Sequence, residues 1–240
     1  MSRTLVIGCG ALAHELVAVL RASGWDHTDV SCLPASWHNT PERIVPAVEA
    51  KILAARETHD RVLVAYGDCG TGGQLDAMLA RHRVPRLPGA HCYAFFAGLD
   101  VFDALAEAEP GTFYLTDYLA RNFERLILDE LGIRRHPELL EAYFGNYTRV
   151  LYLAQAAPED DADGAEALRA ARAAAAALGL PLEVRRTGLA PFGEALHAIR
   201  IAPAPAAIGG TGGAEGPART DADRVVPRDA TPSDLGRSSP

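Results

Sequence analysis

Short runs rich in β-branched and aliphatic residues recur at residues 5–8, 29–33, 61–66, 84–87, 112–115, 149–154 and 182–186. The stretches between them carry apolar residues at three- and four-residue spacing, most clearly in ALAHELVAVLRA, PERIVPAVEAKILAAR and GGQLDAMLARH. A strand-period run followed by a helix-period run, repeated along a chain, leaves few folds open. Strands separated by a helix pair in parallel because the connection must cross the sheet, and the crossing helices then cover its faces. The expectation is an α/β fold, a mostly parallel sheet with helices on both faces in a Rossmann-like three-layer sandwich.

With 240 residues, 48% of them hydrophobic, the chain can bury a sizeable core. Residues 1–202 are read as a single α/β domain with room for two subdomains. Residues 163–178, largely alanine, are a helix on intrinsic propensity alone. From Pro203 onward Pro, Ala, Gly, Ser, Thr and Asp prevail, with no aromatic residue and no periodicity. Such a composition buries too little apolar surface to offset the entropy of ordering, so residues 203–240 are expected to form a disordered tail.

A formal net charge of -8 argues against nucleic-acid binding, which needs a basic face to displace counterions from phosphates. No apolar run approaches the ~20 residues that spanning a bilayer requires. The N-terminal MSRTLVIGCG has too few apolar residues before its glycine turn for a signal segment. The expectation is a cytoplasmic protein with neither nucleic acid nor membrane as partner; its oligomeric state is open. In a reducing compartment the four cysteines, Cys9, Cys32, Cys69 and Cys92, point to metal binding or thiol chemistry rather than disulfides.

The segment VAYGDCGTGG, residues 64–73, sets Asp68 and Cys69 at the tip of a glycine-rich turn after a strand, and IGCGALAHE and PGAHCYAFFAG repeat the theme with Cys9 and Cys92. Ligands of parallel α/β sheets bind beyond the carboxyl ends of the strands, which offers these widely spaced thiols a common meeting place. Three readings compete. GCGALA matches the loose dinucleotide fingerprint, with Gly8 and Gly10 against a nicotinamide or adenosyl cofactor, but the second strand ends in SCL and its only acid, Asp29, stands at its start. Alternatively, Cys9, Cys69 and Cys92 ligate zinc or an iron–sulfur cluster with one position open. Gly70, Thr71, Gly72 and Gly73 then supply a nest of backbone N–H groups toward the bound group. Cys32, among Val30, Leu33 and Pro34, reads equally as a small buried hydrophobe.

Other residues carry plainer alternatives. His91 adjoins Cys92 and suits metal binding or proton transfer, or only a hydrogen bond. His38 lies in the loop after the second strand. Glu15 suits a helix dipole, the run Tyr93, Phe95, Phe96 suits packing, and Thr116 and Asp117 suit a helix cap.

GCGALAHE, CLPASWHNTPERI, YGDCGTGG, PGAHCYAFFAG, EPGTFYLTDYL, FGNY and YLAQ together resemble a bacterial and archaeal family of unknown function, over roughly residues 4 to 200. Members of that family often accompany corrinoid proteins and cobalamin-dependent methyltransferases. The resemblance therefore implies a role in one-carbon metabolism, with a corrinoid protein or methyltransferase as partner and a corrinoid supplied through it. Together these point to a metalloprotein with Cys9, Cys69 and Cys92 as ligands, Asp68 and His91 as proton-transfer groups, and His38 as a more distant substrate contact. A metal-dependent methyltransferase or lyase fits, as does a non-catalytic accessory protein.

Overall fold

The computed structural model describes residues 2–156 and 162–202; the tail expected from Pro203 onward lies outside the described residues. Strands β1 (Thr4–Cys9), β2 (Thr28–Leu33) and β3 (Arg61–Ala65) form a parallel sheet in the order β2-β1-β3. Residues 84–87 extend it beside β3 as a stub, bonded through Val64 N–H to Pro85 O and Leu87 N–H to Val64 O. Strands β4 (Thr112–Leu115), β5 (Arg149–Ala154) and β6 (Leu182–Arg186) form a second parallel sheet in the order β4-β5-β6. Parallel strands flanked by helices were expected; their division into two sheets gives the chain two lobes.

The first lobe carries helices α1 (Ala13–Ala22), α2 (Ile44–Ala55) and α3 (Gln74–His82). Short α4 (Tyr93–Ala97) and α5 (Leu99–Ala108) lead into the second lobe, which carries α6 (Asp117–Arg121), α7 (Leu139–Phe144) and the alanine-rich α8 (Ala162–Leu178). The final helix, α9 (Ala190–Ile201), returns to the first lobe. Its Phe192, Leu196 and Ile199 join the same core as Val6, Ile7, Leu63 and Val64. Arg61 in β3 donates to the carbonyls of Ile199 and Ala202, satisfying acceptors that a helix C-terminus leaves open. The Arg200 guanidinium lies 4.3 Å from the centre of the Trp25 ring, a cation–π contact.

Helix α8 covers one face of the second sheet, and α4 with α5 the other. Val150, Tyr152 and Ala154 pack with the alanine face of α8, whereas Leu151 and Leu153 pack against Ala94, Ala97 and Phe102. Alternate residues of one strand thus serve two cores, as the strand period requires. Helix α4 belongs to both lobes: Phe95 and Phe96 face the first core, Ala94 and Ala97 the second. The segment carrying Cys92 is therefore wedged where the lobes join.

Candidate functional site

The Cys69 and Cys92 loops are stitched together through their backbones. Asp68 N–H donates to Gly89 O at 3.1 Å and Cys69 N–H to Ala90 O at 2.9 Å. The approach is close at Gly67, where an added Cβ would lie 3.0 Å from Ala90 O and 3.1 Å from the His91 backbone. Arg86, on the stub beside β3, clamps the same region. Its guanidinium makes a two-pronged pair with Asp76 and donates to the carbonyls of Leu87 and Gly89, a geometry the planar fork is suited to.

Asp68 organises the glycine-rich turn. Its Oδ1 accepts from the Thr71 hydroxyl at 2.6 Å and Gly73 N–H at 2.9 Å, and its Oδ2 from Gly72 N–H at 3.0 Å. The backbone donors expected to face a ligand at Gly72 and Gly73 are thus engaged by the chain's own carboxylate. Burial alone would raise the Asp68 carboxyl, but the bonds from Thr71, Gly73 and Gly72 and the nearby Arg86 charge outweigh it and hold it below the usual range. The turn also forces Cys69 into the left-handed region at φ 49°, beside Gly70 at φ 83°. A residue with a Cβ is strained there, and the surrounding bonds hold it in place.

Cys9, Cys69 and Cys92 are all buried, and Cys69 and Cys92 each feel the charge of another of the three. Cys9 ends β1, and its Sγ accepts from Ala11 N–H at 3.5 Å. Burial pushes its thiol up, while that bond and one from the Tyr66 hydroxyl pull it part of the way back. Cys69 is pushed up to about 12 by burial, then by Cys9 and Asp68. Cys92 rises well above the ordinary thiol value through burial, then Cys69 and Cys9. The Tyr66 and Tyr93 phenols rise for the same reasons, burial first and the cysteines next. Three loops that are remote in sequence therefore converge on one thiol cluster. Among the described residues, no three His, Cys, Asp or Glu side chains close around a single metal ion. Cys32 stands one strand away, half-buried in β2, and its thiol rises through burial with Cys9 a smaller cause.

His38 is exposed at its surface, yet enough protein surrounds it that burial pulls its imidazole down to about 4, with His91 a smaller cause. The His91 imidazole is close enough for its charge to be felt at His38. The His91 and Tyr93 ring centres are 5.9 Å apart. Glu15 is buried at 5% exposure; burial raises its carboxyl, and Asp117 and Arg121 of the second lobe lie within reach of its charge. Glu15 stands in the first turn of the helix beside Cys9, where a helix-dipole role is expected of it, whereas nothing in the local pattern of Tyr66, at the end of the strand-like run 61–66, marks it as a neighbour of the thiols. Thr116 caps α6 through Leu119 N–H, as expected, while Asp117 accepts from Tyr152 OH, Gln155 N–H and Ala156 N–H and ties β4 to β5.

A model of a protein family of unknown function matches residues 32–196. The chain belongs to that family, DUF1638. The match takes in Cys32, Cys69 and Cys92 and begins after the Cys9 turn. Comparison with curated proteins and with solved structures gives no match.

In this DUF1638 chain Gly8, inside β1, and Gly10, just beyond it, serve the chain's own packing. A Cβ on Gly10 would meet Leu33 O at 3.0 Å and one on Gly8 the Leu16 side chain at 3.2 Å. Asp29, the acid of β2, pairs in register with Leu5 at the far end of the sheet and is held by Arg3 and His59. A ribose-binding acid belongs at the carboxyl end of that strand, where this chain has Cys32 and Leu33.

Proposed function

We propose that Cys9, Cys69 and Cys92 ligate an iron–sulfur cluster or, less favoured, zinc, and that the centre serves corrinoid-linked methyl transfer in one-carbon metabolism. The observation carrying this reading is the meeting of three buried thiols from three separate loops, with Cys9 raising Cys69 and both of them raising Cys92. Such a group resists ionisation on its own, which argues against a simple thiolate nucleophile. A metal centre supplies the positive charge that makes thiolates stable there. A cluster spreads its irons over a wider volume than one ion, and so suits thiols that do not close around a single point.

Three protein ligands leave a position for a substrate atom, where the metal acts as a Lewis acid. His91, next in the chain to Cys92, and His38, which feels its charge, are the groups assigned to that position. With its imidazole pulled down to about 4, His38 is neutral at ordinary pH and serves as a hydrogen-bonding substrate contact. Asp68 serves by positioning Cys69, since both its oxygens are committed to the turn. The partner is a corrinoid protein or its methyltransferase, supported by the family resemblance.

The test is anaerobic purification followed by metal analysis and an absorption spectrum, on wild type and on Cys69→Ala. Iron, sulfide and broad absorbance near ~400 nm, lost in the variant, support the cluster. Stoichiometric zinc without colour supports the zinc form. A folded, metal-free wild type overturns the reading. Metal without turnover of methylated amines or their corrinoid partner assigns the protein an accessory role.

A further inference from the structure

Strand β6 closes one side of the second sheet and is uncovered to an unusual degree. Glu183, Val184, Arg185 and Arg186 are all exposed. The cause lies in the chain path. The helix that follows β6 is α9, which leaves for the first lobe and packs its Phe192 against Phe95 and Phe96. Helix α8 sits over β5 and α6 more than over β6. Among the described residues the strand is therefore left with an open edge, and an open edge is a row of backbone donors and acceptors seeking a partner.

The order of side chains on β6 suits one partner. In parallel register Leu151 pairs with Glu183 and Leu153 with Arg185, so Glu183 and Arg185 share the face toward α5, while Val184 shares the opposite face with Tyr152. If a second β6 runs antiparallel to the first about a two-fold axis at Val184, each Glu183, which already accepts from Arg149 of its own sheet at 2.9 Å through Oε2, stands with its other oxygen opposite the other copy's Arg185. Direct cross-strand pairs lie on the same face, and opposite charges there are favourable. Apolar surface flanks the edge as well. Of the large hydrophobic side chains exposed among the described residues, Val184 (47%) borders it on one face and Val101 (37%) of α5 on the other. A shallow recess between α5 and β6 is lined by Asp100, Val101, Ala104, Leu105 and Arg185.

We infer that β6 is the contact through which two copies of this chain form a symmetric dimer, joining their second sheets into one six-stranded sheet with reciprocal Glu183–Arg185 pairs. Self-pairing of this kind is isologous and closes at two copies. The thiol cluster lies in the first lobe, so the inference stands whether or not a metal binds there.

The test is molar mass by light scattering and sedimentation on the full chain across a concentration series, for wild type, Arg185→Glu and the double variant Glu183→Arg/Arg185→Glu. Thermal melts check that each is folded. The expected result is a dimeric wild type, an Arg185→Glu variant at least tenfold weaker in self-association because Glu then faces Glu, and recovery of the dimer in the double variant. A wild type that stays monomeric overturns the inference: the charged strand would then be protecting its edge from pairing. A dimer indifferent to Arg185→Glu overturns it in favour of another surface. Failure of the folded double variant to recover overturns the pairing about Val184.

Discussion

Replacing Asp68 with alanine removes the three acceptor contacts that hold the turn around Cys69. Their loss is unequal. Gly72 and Gly73 are exposed, so their N–H groups regain water and each bond is worth about 0.5–1 kcal/mol. Thr71 is buried at 5% exposure, and its abandoned hydroxyl adds about 1–2 kcal/mol. The sum is roughly 2–4 kcal/mol, a fall of about 1 M in the urea midpoint for a slope of ~2–3 kcal/mol/M. Asp68→Asn keeps one acceptor oxygen and should lose about half as much. The pH dependence has a definite sign. The folded-state carboxyl is held below its ordinary value of 3.8, so its stabilisation is fully present above that value and is lost as pH falls through the folded one. The gap between wild type and Asp68→Asn should accordingly be full at pH 7 and close in the acid range. Equilibrium urea unfolding, followed by circular dichroism from pH 7 down to 3, measures it. An alanine variant within ~0.5 kcal/mol of wild type at pH 7 would refute the claim that Asp68 holds the turn.

Gly67→Ala forces a Cβ against the backbone of Ala90 and His91 at 3.0–3.1 Å, atoms that cannot swing aside. The expected destabilisation is about 1–3 kcal/mol, with loss of whatever metal the thiols hold, read by thermal melts and metal analysis. Thiol titration with a disulfide reagent at pH 8 on metal-free native protein should find Cys32 reacting first. Cys9, Cys69 and Cys92 should lag until urea is added, because burial holds them protonated and shielded. Rapid reaction of all four would contradict the buried cluster.

The strands were legible because each is a short β-branched run, and even the stub at residues 84–87 announced itself. The grouping of Cys9, Cys69 and Cys92 followed from one topological rule about strand ends. The division into two sheets was not legible, because pairing partners are chosen by contacts remote in sequence, such as those that wedge Phe95 against one core and Ala97 against the other. The role of Asp68 was hidden for a related reason. An acid beside a thiol in a glycine turn looks the same whether its oxygens face a ligand or fold back onto Thr71, Gly72 and Gly73. Arg86 drew no notice as a charged residue in a short strand, though it clamps both sides of the site.

The return of α9 has a consequence for biosynthesis. The second lobe is built from one continuous stretch, so it can acquire its native contacts while the ribosome is still adding residues. The first lobe must wait, because the contacts of α9 with α1 and β3 join the two ends of the described chain and raise its contact order. The lobe that bears the thiols is begun first and finished last, and any metal loading that needs a complete site must follow the synthesis of α9.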